Sequence, residues 1–331
     1  MVFKRLLGSI GVGGPAVDTV LDPVSAVPGG SLSGEVRLTG GRADFEIEHI
    51  TLELVARVEA ETGHGERDGA VVFERFTVGG GFRLREGERR SVPFAVTLPW
   101  ETPVTELHGR PLGIVLGVRT ELGVAGAKDK GDLDALAVRP LPVQEAVLEA
   151  LGQLGFGFKS ADLEYGRIGG TGQQLPFYQE IELSPAPQYA HQVGEIEVTF
   201  LAHPAGMDVV LEADKRGGLF SEGRDALARH TVHHDQAART DWNAEVDAWI
   251  RALVASRTAR AAAVHGPYAH GGHDPHEGDH GHGGHHRSGP GIGTAVAAGA
   301  AGLAVGVVGG MVAAEAVDEI GDFLEGDEDE S

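Results

Sequence analysis

Apolar and polar residues alternate with period two over long stretches of the first half of this chain, and that pattern admits little besides β-strands with one buried face. Leu32, Gly34, Val36 and Leu38 form one such set. Ile50, Leu52, Leu54, Ala56 and Val58 form a second, which places Thr51, Glu53, Arg57 and Glu59 mostly on the solvent side. Val92, Phe94, Val96 and Leu98 continue the pattern, as do Ile114, Leu116, Val118, Thr120 and Leu122. Glycine and proline clusters at 28–30, 79–81 and 99–103 punctuate the runs, as turns between antiparallel strands do. The expectation is a β-sandwich.

Between residues 142 and 155 the period changes. Val147, Leu148, Leu151 and Leu154 fall on one helical face, with proline before the segment and glycine after it, which predicts a short helix between two lobes. Alternation resumes at 177–183, at Ile196, Val198 and Phe200, and at 207–213. A second amphipathic helix is predicted near 241–260, where Trp242, Val246, Trp249 and Leu253 share a face and Arg251, Arg257 and Arg260 suit the negative C-terminal end. The fold class is therefore all-β, with two sandwich lobes, a short interlobe helix, a C-terminal amphipathic helix and a low-complexity tail. The expected divisions are 1–135 for the first lobe, 136–156 for a hinge and short helix, 157–238 for the second lobe and 239–264 for the amphipathic helix. Beyond these lie a His/Gly-rich linker at 265–290, an apolar segment at 291–314 and an acidic tail at 315–331.

Charge and cysteine content narrow the function. The net charge of -22 over 331 residues leaves no basic face for a phosphate backbone, so nucleic acid is not an expected partner. Nine acids fall within 315–331 with no Lys or Arg among them, so part of that charge is a solvated tail. With no cysteine there is neither a disulfide framework nor a thiolate for nucleophilic attack or zinc binding. The apolar stretch after Lys4 and Arg5 is short and interrupted by glycine, unlike a signal-peptide core, and a cytoplasmic location with membrane association through the tail is expected.

Two features of the tail carry chemistry. Eight of the sixteen histidines crowd into 265–286. His270, His273, His276, His280, His282, His285 and His286 are candidate ligands for Zn, Ni or Cu, because a flexible chain can bring several imidazoles to one ion. The run His276-Glu277-Gly278-Asp279-His280 spells H-E-x-x-H, but Pro275, Gly278 and Gly281 oppose the rigid helix a zinc protease needs. Farther on, residues 292–314 carry no charge, and Ala298, Gly302, Gly306, Gly310 and Ala314 are spaced by four. Small residues at that spacing line one side of a helix, for self-association into a homo-oligomer or for membrane contact. Asp129, Asp132 and Asp134 lack the spacing of an EF-hand loop. No P-loop, G-x-S-x-G elbow or strand–GxGxxG–helix occurs, and no enzyme activity or required cofactor is expected.

Beside these readings, several segments resemble the sporulation-control protein M family in order along the chain. They are FKRLLGSIGVGGPAVDTVL from Phe3, PGGSLSGEVRL from Pro28, IEHITLELV from Ile47 and FRLREGERRSVPFAVTLPWETPVT from Phe82. VLEALGQLGFGFKSADLEYG from Val147 and LPFYQEIEL from Leu175 complete the set. The similarity covers about 3–216. It implies an arrestin-like body of two β-sandwich lobes and a regulatory role in bacterial developmental commitment, exercised through contacts with regulatory, cell-envelope or cytoskeletal proteins. The resemblance brings no catalytic residues with it. Metal binding by the histidine tract, or tethering through the glycine-spaced segment, are the alternative roles.

Overall fold

The computed structural model describes residues 13–22, 25–62, 65–126, 130–214 and 226–264. In chain order the first half contributes β1 (Ala16–Leu21), β2 (Ser31–Thr39), β3 (Phe45–Thr62), β4 (Gly65–Gly79), β5 (Phe82–Leu84) and β6 (Arg89–Thr97). The small hairpin of β7 (Glu106–Leu107) and β8 (Arg110–Pro111) precedes β9 (Leu116–Val124) and β10 (Lys130–Ala135). The second half adds α1 (Pro142–Gln153), β11 (Gly157–Tyr165), β12 (Phe177–Ser184), β13 (Glu195–His203), β14 (Gly206–Asp214), β15 (Ala226–His233) and α2 (Trp242–Val264). The fold is all-β with two helices, as the alternation predicts.

In the first lobe β1, β2 and β6 form a three-stranded sheet. Its inward residues Leu32, Val36 and Leu38 meet Ile50, Leu52, Leu54, Ala56 and Val58 of β3 and Leu116, Val118 and Leu122 of β9, all buried. The two layers are also tied by polar contacts. The Thr19 and Thr120 hydroxyls lie 2.6 Å apart, and the Thr19 N–H donates to Asp132 Oδ2 at 2.7 Å. Asp132 therefore serves the fold here. Gly29, with φ +69°, turns the chain into β2 beneath Trp100, and a Cβ there would sit 2.5 Å from the indole ring; glycine satisfies both demands.

One expectation fails on the outer face of β3. Glu53, placed on the solvent side by its parity, is only 3% exposed. Arg75 of β4 and Arg119 of β9 flank it across the strands, at 2.6 Å and 2.7 Å from their Nε atoms. Long arginine stems can cover a carboxylate while pairing with it, and alternation alone cannot register that.

The wide sheet runs through both lobes in the order β10-β9-β3-β11-β12-β13-β14-β15. The lobes join where β3 meets β11 through the parallel pair Glu59–Glu164. In the second lobe, the layer facing the sheet is supplied by the helices. Val147 and Leu151 of α1 and Val246, Trp249, Ile250 and Leu253 of α2 pack with Ile181, Ile196, Val198, Val209 and Leu211. Helix α1 starts at Pro142, where no N–H is needed. It stops at Gly155, φ +97°, with the Phe156 N–H donating to Leu151 O and the Gly155 N–H to Gly152 O. This is the pattern of a Schellman stop, closed by two residues that share the core. Helix α2 is capped by Asp241 Oδ1, which accepts from the Ala244 N–H at 3.1 Å.

Side chains fasten the junction. Gln179 of β12 accepts from the Val104 N–H at 2.9 Å and donates to Val104 O at 2.8 Å. Glu101 accepts from the N–H groups of Gln174 and Leu175, each at 2.8 Å. Trp100 stacks on His234, ring centroids 5.1 Å apart.

Candidate functional site

Because helices cover one face of β11–β15, residues of opposite parity project from the other, and they are unusually acidic. Strand register sets them in rows. Asp162 of β11 lies across from Glu180 of β12, and Glu164 from Tyr178. Glu182 lies across from Glu197 of β13, which lies across from Glu212 of β14. Like charges directly opposite on neighbouring strands oppose folding, so such rows call for some purpose or compensation.

Part of the compensation is visible at one end. Lys159 Nζ donates to Glu182 at 2.7 Å and to Glu195 at 2.6 Å, and the Ser160 hydroxyl donates to Glu182 at 2.6 Å. Burial works against ionisation of Glu182, but the Lys159 and Ser160 hydrogen bonds prevail and hold its carboxyl below the ordinary value. The hydrogen bonds to Glu182 and Glu195 in turn raise the ammonium of Lys159.

Glu180 sits in a different environment. It is 6% exposed, and among the described residues it accepts no hydrogen bond and forms no ion pair. Burial, then the fields of Glu197, Asp162, Glu164 and Glu212, push its carboxyl up to about 10. Tyr178 is raised as well, by burial first and then by Glu180 and Glu164. Glu180 and Tyr178 line a cavity of about 150 Å³ shared with Glu197, Glu212 and the segment Arg167, Ile168 and Gly169.

The wall over this cavity is a loop, 166–176, held from within by Gln173. Its amide accepts from the Ile168 N–H at 2.9 Å and donates to Gly166 O at 2.8 Å and Leu175 O at 2.9 Å. Arg167 donates to Gln173 O at 2.8 Å, and Arg229 of β15 reaches Gly170 O. The loop is thus pinned to β15 at one end and to itself elsewhere.

Chemically, the acids that the described residues place on this face offer oxygen ligands. Among the described residues, Asp162, Glu164 and Glu180 each place one carboxylate oxygen within 4.8 Å of the other two. The alternation at 160–164 and 180–182 is legible as acids on one strand face, but reads there as solvated charge; only the register and the loop turn it into a lined cavity.

The histidine ligands expected in the tail, His270, His273, His276, His280, His282, His285 and His286, lie outside the described residues, as do Ala298, Gly302, Gly306, Gly310 and Ala314. Among the described residues, no helix is long and apolar enough to cross a membrane. His233 and His234 each contact a backbone carbonyl. Nδ1 of His233 lies 3.2 Å from Ala205 O, and Nε2 of His234 lies 2.9 Å from His203 O.

Fold and acid face together define a two-lobed, β-rich body with a continuous sheet and helices closing its second lobe. The sequence model of the family described as SpoOM protein matches residues 3–217. The chain is 35% identical over 215 residues to the sporulation-control protein Spo0M of Bacillus subtilis, covering 65% of this chain and 81% of that protein. The crystal structure of Bacillus subtilis Spo0M superimposes with a TM-score of 0.64 at 28% identity, covering 74% of this chain and all of the other. The chain belongs to the Spo0M family of sporulation-control proteins. The acids Asp162, Glu164, Glu180, Glu197 and Glu212 fall inside the matched region, whereas β15 and α2 follow it.

Proposed function

We propose that the protein is a non-enzymatic adaptor in sporulation or differentiation control, working by protein contacts, with β15 as a docking edge for an extended segment of a partner. The observation behind this reading is that β15 ends the wide sheet and, among the described residues, pairs along one side only, with β14. An open strand edge carries a row of backbone donors and acceptors, and peptides bind such edges by adding a strand. The His233 N–H donates to the Gln236 side chain at 2.6 Å and so is directed away from the ladder. Period two puts the Thr231 N–H on the same outward side.

Thr231→Pro therefore removes an outward donor and spares the backbone ladder with β14, as proline on an edge strand can, at the loss of the Thr231 hydroxyl's bond to Asp208 of β14. The test is crosslinked capture from native cells with the wild-type chain, Thr231→Pro, and a chain ended after Val264. Partners kept by the shortened chain and lost from Thr231→Pro are the expected result. Partners that survive Thr231→Pro and depend on residues after 264 would overturn the reading and move the function to the tail.

A further inference from the structure

We propose that Asp162, Glu164 and Glu180 form a binding site for a hard divalent cation of the calcium class. This goes beyond the adaptor reading and does not depend on it. Three observations combine. The carboxylate oxygens of these residues come within 4.8 Å of one another, and two ligands on one calcium ion can stand no more than about 5 Å apart at ordinary calcium–oxygen distances. The donor set is all oxygen, which selects calcium, magnesium or manganese over zinc, nickel or copper. Independently of the clustering, Glu180 is a nine-tenths-buried carboxyl group that no described residue hydrogen-bonds or pairs with, and it faces the cavity.

The site's position is compatible with coordination. Asp162 and Glu180 are cross-strand neighbours, and Glu164 lies two residues along β11 on the same face, so rigid paired strands hold all three. Calcium takes six to eight oxygens and tolerates irregular arrangements. A cavity of about 150 Å³ opens on the Glu180 side of the site, lined by Glu180 and not by Asp162 or Glu164, and at about 30 Å³ each it has room for several waters next to that ligand. Glu197 and Glu212, lining the same cavity, add favourable field for a cation, opposed by Arg167 on its wall.

The histidine tract favours borderline ions, and the Glu180→Gln variant, which leaves the acidic tail unchanged, separates the strand site from calcium bound there. The experiment is calorimetric titration of the full chain with calcium chloride, and in parallel with magnesium and manganese chloride, together with thermal melts in each salt. Wild type and Glu180→Gln are compared. Glutamine keeps the shape of the acid and carries no charge, so the variant is expected to melt in chelator no lower than wild type. Losing even an outer-shell group costs roughly 10–100-fold in metal affinity, so Glu180→Gln should lose at least about tenfold in affinity for one site. Its melting temperature should also fail to rise in the salt that raises that of the wild type. Asp162→Asn should reproduce the loss. The proposal is overturned if none of the three ions raises the wild-type melting temperature, or if wild type and Glu180→Gln bind and respond alike.

Discussion

Glu53 in the first lobe and Glu180 in the second are buried to nearly the same depth, at 3% and 6% exposure, yet their surroundings are opposite. Glu53 is gripped by Arg75 and Arg119; Glu180 stands among Asp162, Glu164, Glu197 and Glu212. A carboxylate removed from water loses its hydration wherever it goes, and only a partner offsets that loss. In the first lobe the partner is built into the neighbouring strands, so the acid is structural. In the second, the described residues offer Glu180 none, and the group stays protonated or takes a ligand.

The comparison can be broken most strongly at Glu53. Glu53→Ala strands Arg119, itself mostly buried, and breaking such a pair costs about 3–5 kcal/mol. Urea unfolding should show a loss near the lower end, because Arg75 is half-exposed. A loss below about 1 kcal/mol, the surface-pair range, would mean that the two arginines only decorate the sheet.

The next largest effect is in pH dependence. The folded-state value of Glu180, about 10, lies above its ordinary 4.5. Its contribution to stability is therefore fully present below 4.5 and is lost progressively as pH rises toward about 10, because the unfolded chain ionises first. One proton sets an upper limit of about 1.4 kcal/mol per pH unit on that slope. In chelator, Glu180→Gln should flatten the stability–pH curve across this window. Curves of equal slope would place Glu180 in a well-solvated setting and end the contrast with Glu53.

The smallest effect is expected at Lys159. Its side chain is half-exposed although it bonds Glu182 and Glu195, and exposed pairs contribute about 1 kcal/mol or less. Lys159→Met should lower stability by about that much and raise the Glu182 carboxyl, since the Lys159 hydrogen bond is the main influence lowering it. A larger loss would show that the acid rows need this lysine to fold.

Much of the fold was legible in residue order. The parity of Ile50, Leu52, Leu54, Ala56 and Val58 marks the inner face of β3 because a strand buries every second residue, and all five are buried. Pro142 and Gly155 bracket α1 because each meets a backbone requirement that few residues meet. The family resemblance over 3–216 coincides with the match over 3–217. What stayed hidden depends on contacts between distant strands. Glu53 looked solvated since nothing local announces Arg75 and Arg119 across the ladder. Glu182, Glu197 and Glu212 come from three strands, and only register makes them neighbours. The cavity over Glu180 exists because the 166–176 loop folds back on Gln173, whose hydrogen bonds leave no periodic trace.

The measurement closest to the central contrast is carbon-13 NMR of the Glu180 side-chain carboxyl in the full chain, assigned by its disappearance in Glu180→Gln and followed across neutral pH in chelator. A protonated carboxyl at neutral pH is the predicted result. An ionised one would contradict the account, because Glu180 would then already have the partner or the water that its surroundings deny it.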